Sequence, residues 1–140
     1  MQQVEVIREV RAPIDEVWAL YTDHLSWNRW AGLGHVSLAH TGSPLTNGVG
    51  CVRVFSNFGF HVHEKVLSFD PPRRMTYTVV SGGLPMRNHF GEVDFAAHGD
   101  TTRIQWRCRF EPVIPGTGKL LQLGITRVFA RALAGFARQL

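Results

Sequence analysis

The stretch from 101 to 111 constrains the fold more than any other part of the chain. Thr102, Ile104, Trp106, Cys108 and Phe110 alternate strictly with Thr101, Arg103, Gln105, Arg107 and Arg109. Successive side chains of a strand point to opposite faces, so this segment has one dry face and one wet face. Antiparallel sheets tolerate water on one side, whereas parallel sheets are covered on both. The pattern therefore predicts an antiparallel sheet whose apolar face needs a cover. Residues 112–118 hold Pro112, Pro115, Gly116 and Gly118 and read as a linker. Residues 119–140 then set Leu121, Ile125, Val128, Phe129, Ala132 and Phe136 on one helical stripe, with Arg127, Arg131 and Arg138 mostly off it. That helix is the natural cover.

Upstream, residues 4–11 read as a first strand. Pro13 at the first helical position, with Asp15 and Glu16 in the first turn, starts a helix with Ile14, Val17, Trp18 and Tyr21 on its apolar face. Asp23 is expected to end it and to cap a second short helix carrying Leu25, Trp27 and Trp30. From there the period falls to two. Residues 35–40 are a strand candidate. Strands over 51–55 and 58–69 are joined by a turn at Ser56-Asn57, and 75–81 follows the break at Asp70-Pro71-Pro72. Residues 82–85 form a loop, and 88–97 pairs with 101–111 around Gly99-Asp100. This order is α+β: a curved antiparallel sheet of about seven strands wrapped around a long C-terminal helix, with two short helices after the first strand. One domain over 1–140 suffices.

Composition narrows the class. Hydrophobic content of 44% and charged content of 19% belong to a globular chain, not a disordered one. No unbroken apolar run reaches the roughly 20 residues of a membrane span. The N-terminus goes straight into strand-like alternation, without the basic start and apolar stretch of a secretion signal, so a cytoplasmic location is expected. Cys51 and Cys108 sit in strand-like runs and are expected to be buried free thiols. The net charge is +4, and only Lys65 and Lys119 of the 15 basic residues are lysines. Arg103, Arg107 and Arg109 form a basic stripe on the wet face. It reads as a solvated surface or as a dock for an acidic carrier protein; without interleaved exposed aromatics it does not read as a nucleic-acid surface.

Several landmarks carry a resemblance. They are Ala12-Pro13 before Val17-Trp18, the Trp27 and Trp30 pair, Gly48-Val49-Gly50 before Arg53, and Glu64 before Val66. Asp70-Pro71-Pro72-Arg73-Arg74-Met75 before Tyr77, and Gly99-Asp100-Thr101 before Trp106, complete the series. In this order and spacing the chain resembles the START-like superfamily, in its polyketide cyclase/dehydrase-like (SRPBCC) branch with the helix-grip fold. The resemblance covers nearly the whole chain. It implies a cavity between sheet and helix, but no shared reaction, because members bind lipids, hormones or polyketides and some are cyclases or hydrolases.

The candidate site follows from charges on dry faces. Arg53 shares a face with Cys51 and Phe55, and Glu64 with Phe60, Val62 and Val66. On adjacent strands each would partner the other, either as a structural ion pair or as the polar end of a ligand site. His89 shares a face with Gly91, Val93 and Phe95; with Tyr77 it would supply acid–base groups for an aldol-type cyclisation. Trp18, Trp30, Phe60 and Trp106, with Ile125 and Phe129 from the last helix, are the expected cavity wall beside these four. His61 and His63 have a chelating spacing but no third ligand, so no metal is expected. Neither a phosphate-binding Gly-rich loop nor a nucleophile elbow is present, and no cofactor is called for. The expected function is binding of an apolar, lipid- or polyketide-like small molecule; the alternative is a polyketide cyclase or dehydratase using cavity acid–base groups.

Overall fold

The β-rich centre of the chain curls into one seven-stranded sheet, seen in a computed structural model that describes residues 1–57, 59–82 and 84–140. Strand β1 (Gln2–Val10) is followed by α1 (Ile14–Thr22), a single 3-10 turn (His24–Ser26) and α2 (Trp27–Trp30). Then come β2 (His35–His40), β3 (Val52–Asn57), β4 (Phe60–Asp70), β5 (Arg74–Ser81), β6 (Met86–His98) and β7 (Thr101–Pro112). Helix α3 (Gly118–Ala137) closes the chain. The strand order is β1-β7-β6-β5-β4-β3-β2, and every neighbouring pair is antiparallel. β1 and β2 thus lie at opposite edges, and the segment carrying α1 and α2 crosses from one edge to the other.

The alternation in β7 becomes the inner face: Ile104, Trp106, Cys108 and Phe110 are all buried. Register shifts at Leu38/His40, His63/Glu64, Val66/Ser68 and Arg87/Phe90 interrupt the ladders. Such bulges bend and twist the strands that carry them, which is how the sheet curves. The bulge in β6 has a second effect. Asn88 takes a left-handed φ of 53°, a conformation Asn tolerates, and sits with His89 against one residue of β7. The side-chain phase slips there, so Met86 and His89, three apart, face the same side.

Beyond Gly118 in its first turn, helix α3 is buried over its second half. Ala132, Leu133 and Phe136 have no exposed surface, whereas Leu121 and Ile125 are half-buried and Val128 is 40% exposed. The stripe therefore needs two corrections: Leu133 belongs to the core, and Val128 stands at its margin. By length and composition α3 would also pass as a membrane-crossing helix. Its buried second half makes it a core helix here.

Five local expectations are corrected. Pro13 stands at the N-cap rather than in the first turn, and Asp23 makes no side-chain cap for the following 3-10 turn. Leu25 is 49% exposed because that turn buries His24 and Ser26 instead. Ser56 and Asn57 are not the turn after β3, since they still pair with His61 and Phe60; the strand start expected at Phe58 lies outside the described residues. β6 begins at Met86 because the bulge lets the ladder to β7 resume beyond Asn88.

Candidate ligand cavity

The β3–β4 register sets Arg53 directly opposite Glu64. Arg53 Nε donates to Glu64 Oε1 at 3.0 Å, and Nη2 lies 2.9 Å from the same oxygen, poorly aligned for a hydrogen bond. The guanidinium is 1% exposed, with its carbon 4.7 Å from the Trp27 ring centroid and 4.8 Å from that of Tyr77. Burial works against its charge, but the Glu64 carboxylate and the nearby tyrosines hold its pKa above the ordinary value. A charge this deep is stable only because carboxylate and ring faces replace water.

His24 completes the cluster, and sequence reasoning missed it. Its Nε2 lies 2.9 Å from the Asn47 carbonyl oxygen, and its Nδ1 lies 3.4 Å from Arg53 Nη1. A carbonyl only accepts, so Nε2 carries the proton and Nδ1 accepts from the guanidinium. Burial first, and the Arg53 charge second, lower the His24 pKa to about 3. The imidazole is neutral.

Behind the half-covered part of α3 lies a cavity of about 450 Å³. This falls in the roughly 300–1,000 Å³ range of small-molecule sites. Phe60, Val62 and Glu64 enter from β4, Val79 from β5, Met86 and His89 from β6, and Trp106 and Cys108 from β7. Leu121, Gly124, Ile125 and Phe129 form the wall on α3. The Trp106 and Phe129 rings stack at 3.7 Å and 6°, sealing sheet against helix at the inner end. Phe60, Leu84 and Leu120 are exposed at the rim. Burial, then the Glu64 charge, push the Cys108 thiol up to about 12, so it stays protonated.

Three polar side chains, Asn57, Glu64 and His89, line this apolar space. Glu64 lines the cavity with Oε1 held by Arg53 and Oε2 without a partner among the described residues. His89 accepts the Val79 backbone N–H at Nδ1, 3.2 Å away, so its proton sits on Nε2. Burial lowers its pKa, an effect Glu64 partly offsets, and keeps it neutral near pH 7.

The structure divides the sequence-predicted residues into two groups. Phe60, Glu64, His89, Trp106, Ile125 and Phe129 line the cavity, whereas Trp18, Trp30, Arg53 and Tyr77 lie behind it. Trp18 packs edge-on against Phe69 and Phe95, and Trp30 against Phe136, filling the core end of the molecule. Tyr77 accepts a 2.6 Å hydrogen bond from Trp106 Nε1, and burial drives its pKa well up. Its ring occupies the space that a Cβ on Gly91 would fill. Trp27 and Phe55 line the cavity instead. Of the histidine pair, His61 is hydrogen-bonded to Ser56 Oγ, and no group of three metal-ligating side chains forms among the described residues.

The arginine stripe is partly neutralised. Arg107 reaches Glu92 at 3.3 Å and Asp94 at 2.8 Å, and Arg74 pairs with the same two acids. Arg109 lies 4.7 Å over the Phe90 ring. These contacts give no support to docking of an acidic carrier. A second hollow of about 480 Å³ opens beside them, lined by Glu5, Glu92, Arg107 and Arg109 among others. It is a polar surface trough, and the apolar cavity is the better ligand site.

Comparison with known proteins agrees with this architecture. The family described as polyketide cyclase / dehydrase and lipid transport matches residues 1–140. No curated protein matches the chain. Among solved structures, a protein from Thermobifida fusca is 25% identical with a TM-score of 0.84, covering 99% of this chain and 93% of its own. The protein XoxI from Bacillus cereus is 17% identical with a TM-score of 0.83, covering 99% and 95%. A START superfamily protein from Mycobacterium smegmatis is 16% identical with a TM-score of 0.81, covering 99% of both chains.

Proposed function

The chain belongs to the polyketide cyclase / dehydrase and lipid transport family, and from that premise we propose that it binds an apolar small molecule, lipid- or polyketide-like, in the cavity between sheet and α3. The observation that carries this reading is the unfilled space under the first half of α3. Packed cores leave few voids larger than a water molecule, so an apolar hollow of about 450 Å³ that opens at the Phe60, Leu84 and Leu120 rim is space suited to an apolar ligand rather than core. The free buried thiols Cys51 and Cys108 fit a reducing compartment such as the cytoplasm.

The cyclase or dehydratase alternative has less support. Such chemistry asks for acid and base groups within reach of one substrate. Tyr77 lies behind the wall with its hydroxyl engaged by Trp106, leaving only Glu64 and His89 at the cavity.

The test uses an uncharged fluorescent probe, N-phenyl-1-naphthylamine, with folding followed by near-UV circular dichroism. The folded protein is expected to bind it with enhanced emission. Gly124→Phe, which sets a ring into the cavity wall, is expected to keep the near-UV spectrum and lose the binding. Absence of binding by the folded wild-type protein, or equal binding by the folded variant, overturns the reading.

A further inference from the structure

We propose, resting on the binding reading above, that the cavity selects an uncharged ligand bearing a hydroxyl group, a long-chain alcohol or a phenol, over a carboxylate. The starting point is the arrangement of charge at its polar end. Glu64 stands at the cavity and Arg53 stands behind it. The guanidinium directs Nε and Nη2 to Glu64 and Nη1 to His24, and its faces lie against Trp27 and Tyr77. No cation among the described residues lines the cavity. A ligand carboxylate would therefore be desolvated beside Glu64 without a counter-charge of its own, an arrangement that is strongly disfavoured.

A hydroxyl group meets the opposite situation. Glu64 Oε2 is an open acceptor. His89, with Nδ1 held by the Val79 N–H, offers Nε2–H as an open donor. The two residues flank one position of the central strand: Glu64 pairs with Val79 across β4–β5, and Val79 is also the residue that holds His89 from β6. Two strand spacings separate their backbones by about 10 Å. Two side chains converging from that distance leave room for one oxygen at ordinary hydrogen-bond lengths of about 2.8 Å to each. A hydroxyl donates one proton and accepts another, so it satisfies both groups at once. An ester or ketone accepts from His89 but leaves Glu64 unmatched.

The selection is readable in ligands of equal chain length. Displacement of N-phenyl-1-naphthylamine at pH 8 compares 1-dodecanol, methyl dodecanoate and dodecanoate, all kept below their aggregation limits. At that pH the dodecanoate is ionised and His89 is neutral. Dodecanol is expected to bind about tenfold more tightly than the ester, as one added charge-assisted hydrogen bond implies, and dodecanoate is expected to bind more weakly than both. His89→Leu leaves the Arg53–Glu64 pair intact; in it the affinity for dodecanol is expected to fall by more than the affinity for the probe, which carries no hydroxyl. Dodecanoate binding as tightly as dodecanol, or a His89→Leu protein with unchanged dodecanol affinity, overturns this inference and leaves the binding reading standing. Failure of the folded wild-type protein to bind the probe or any of the three ligands overturns both.

Discussion

Acid should unfold this protein through one buried histidine. His24 is fully buried, its Nε2–H is held by the Asn47 carbonyl, and its Nδ1 faces the Arg53 guanidinium. Protonation would remove the acceptor and set two cations together. Its folded pKa is about 3, against the ordinary histidine value of 6.5. A folded pKa below the unfolded one means that the unfolded chain binds the proton more readily. The stabilisation is therefore complete above about pH 6.5 and is lost as pH falls towards 3. The slope is about 1.4 kcal/mol per pH unit, so moving from pH 7 to pH 4.5 removes roughly 2.5 kcal/mol. That interval stays above the folded pKa, so its exact value hardly changes the result. Urea unfolding followed by tryptophan fluorescence at pH 7, 6, 5 and 4.5 gives the wild-type curve. His24→Gln, which cannot titrate, serves as the reference. Other groups, His89 among them, contribute to both proteins and cancel in the difference. The wild type should lose roughly 2.5 kcal/mol more than the variant over that interval. Parallel curves would refute the burial-and-tautomer argument for His24.

Removing Arg53 or Glu64 alone should cost about 3–5 kcal/mol in urea unfolding, while Arg53→Met combined with Glu64→Leu should recover most of it; additive losses would show that the two side chains do not depend on each other. Phe136→Asp places an unpaired charge where no surface is exposed, and thermal melting should show a loss at least as large as the roughly 3–5 kcal/mol of deleting a buried ring. An unchanged melting temperature would contradict the placement of α3. Gly124→Ala should raise stability by about 0.5–1 kcal/mol, because a Cβ there meets nothing within 4 Å and Ala is the better helix former; a loss would mean that the helix backbone needs glycine at that point.

The inner sheet face and the helix cover were legible because each rests on a period. Strict alternation in 101–110 survives as a buried inner face, and the apolar residues of 119–140 survive as a packed helix. The ion pair was legible for a related reason: a charge at an inward position needs a partner, and Arg53 and Glu64 occupy inward positions on neighbouring strands. Local geometry that breaks a period was not legible. Counting by twos from Gly91 through His89 puts Arg87 on the cavity side and Met86 outside; the Asn88 bulge reverses both. His24 stands in a 3-10 turn whose three residues have no periodic face to reveal which one is buried. Trp27 and Trp30 are one helical turn apart, so the sequence could not tell the ring that reaches the cavity from the ring that fills the core.

The hollow itself left a trace in the order of residues along α3. Its second half presents Phe129, Ala132, Leu133 and Phe136 to the sheet, and there the core is solid. Its first half presents Leu121, Gly124 and Ile125, and there the cavity remains. A helix lying over a curved sheet must supply more volume where the gap is wider, or leave the gap open. Here the supply falls instead, to a glycine at the middle of the cavity wall, although glycine costs the helix about 1 kcal/mol relative to alanine. A glycine between Leu121 and Ile125 on the cavity side is poor packing for a core. It is what a binding cavity requires, and it gives a physical reason to search other chains of this shape by the gradient of side-chain volume along the terminal helix.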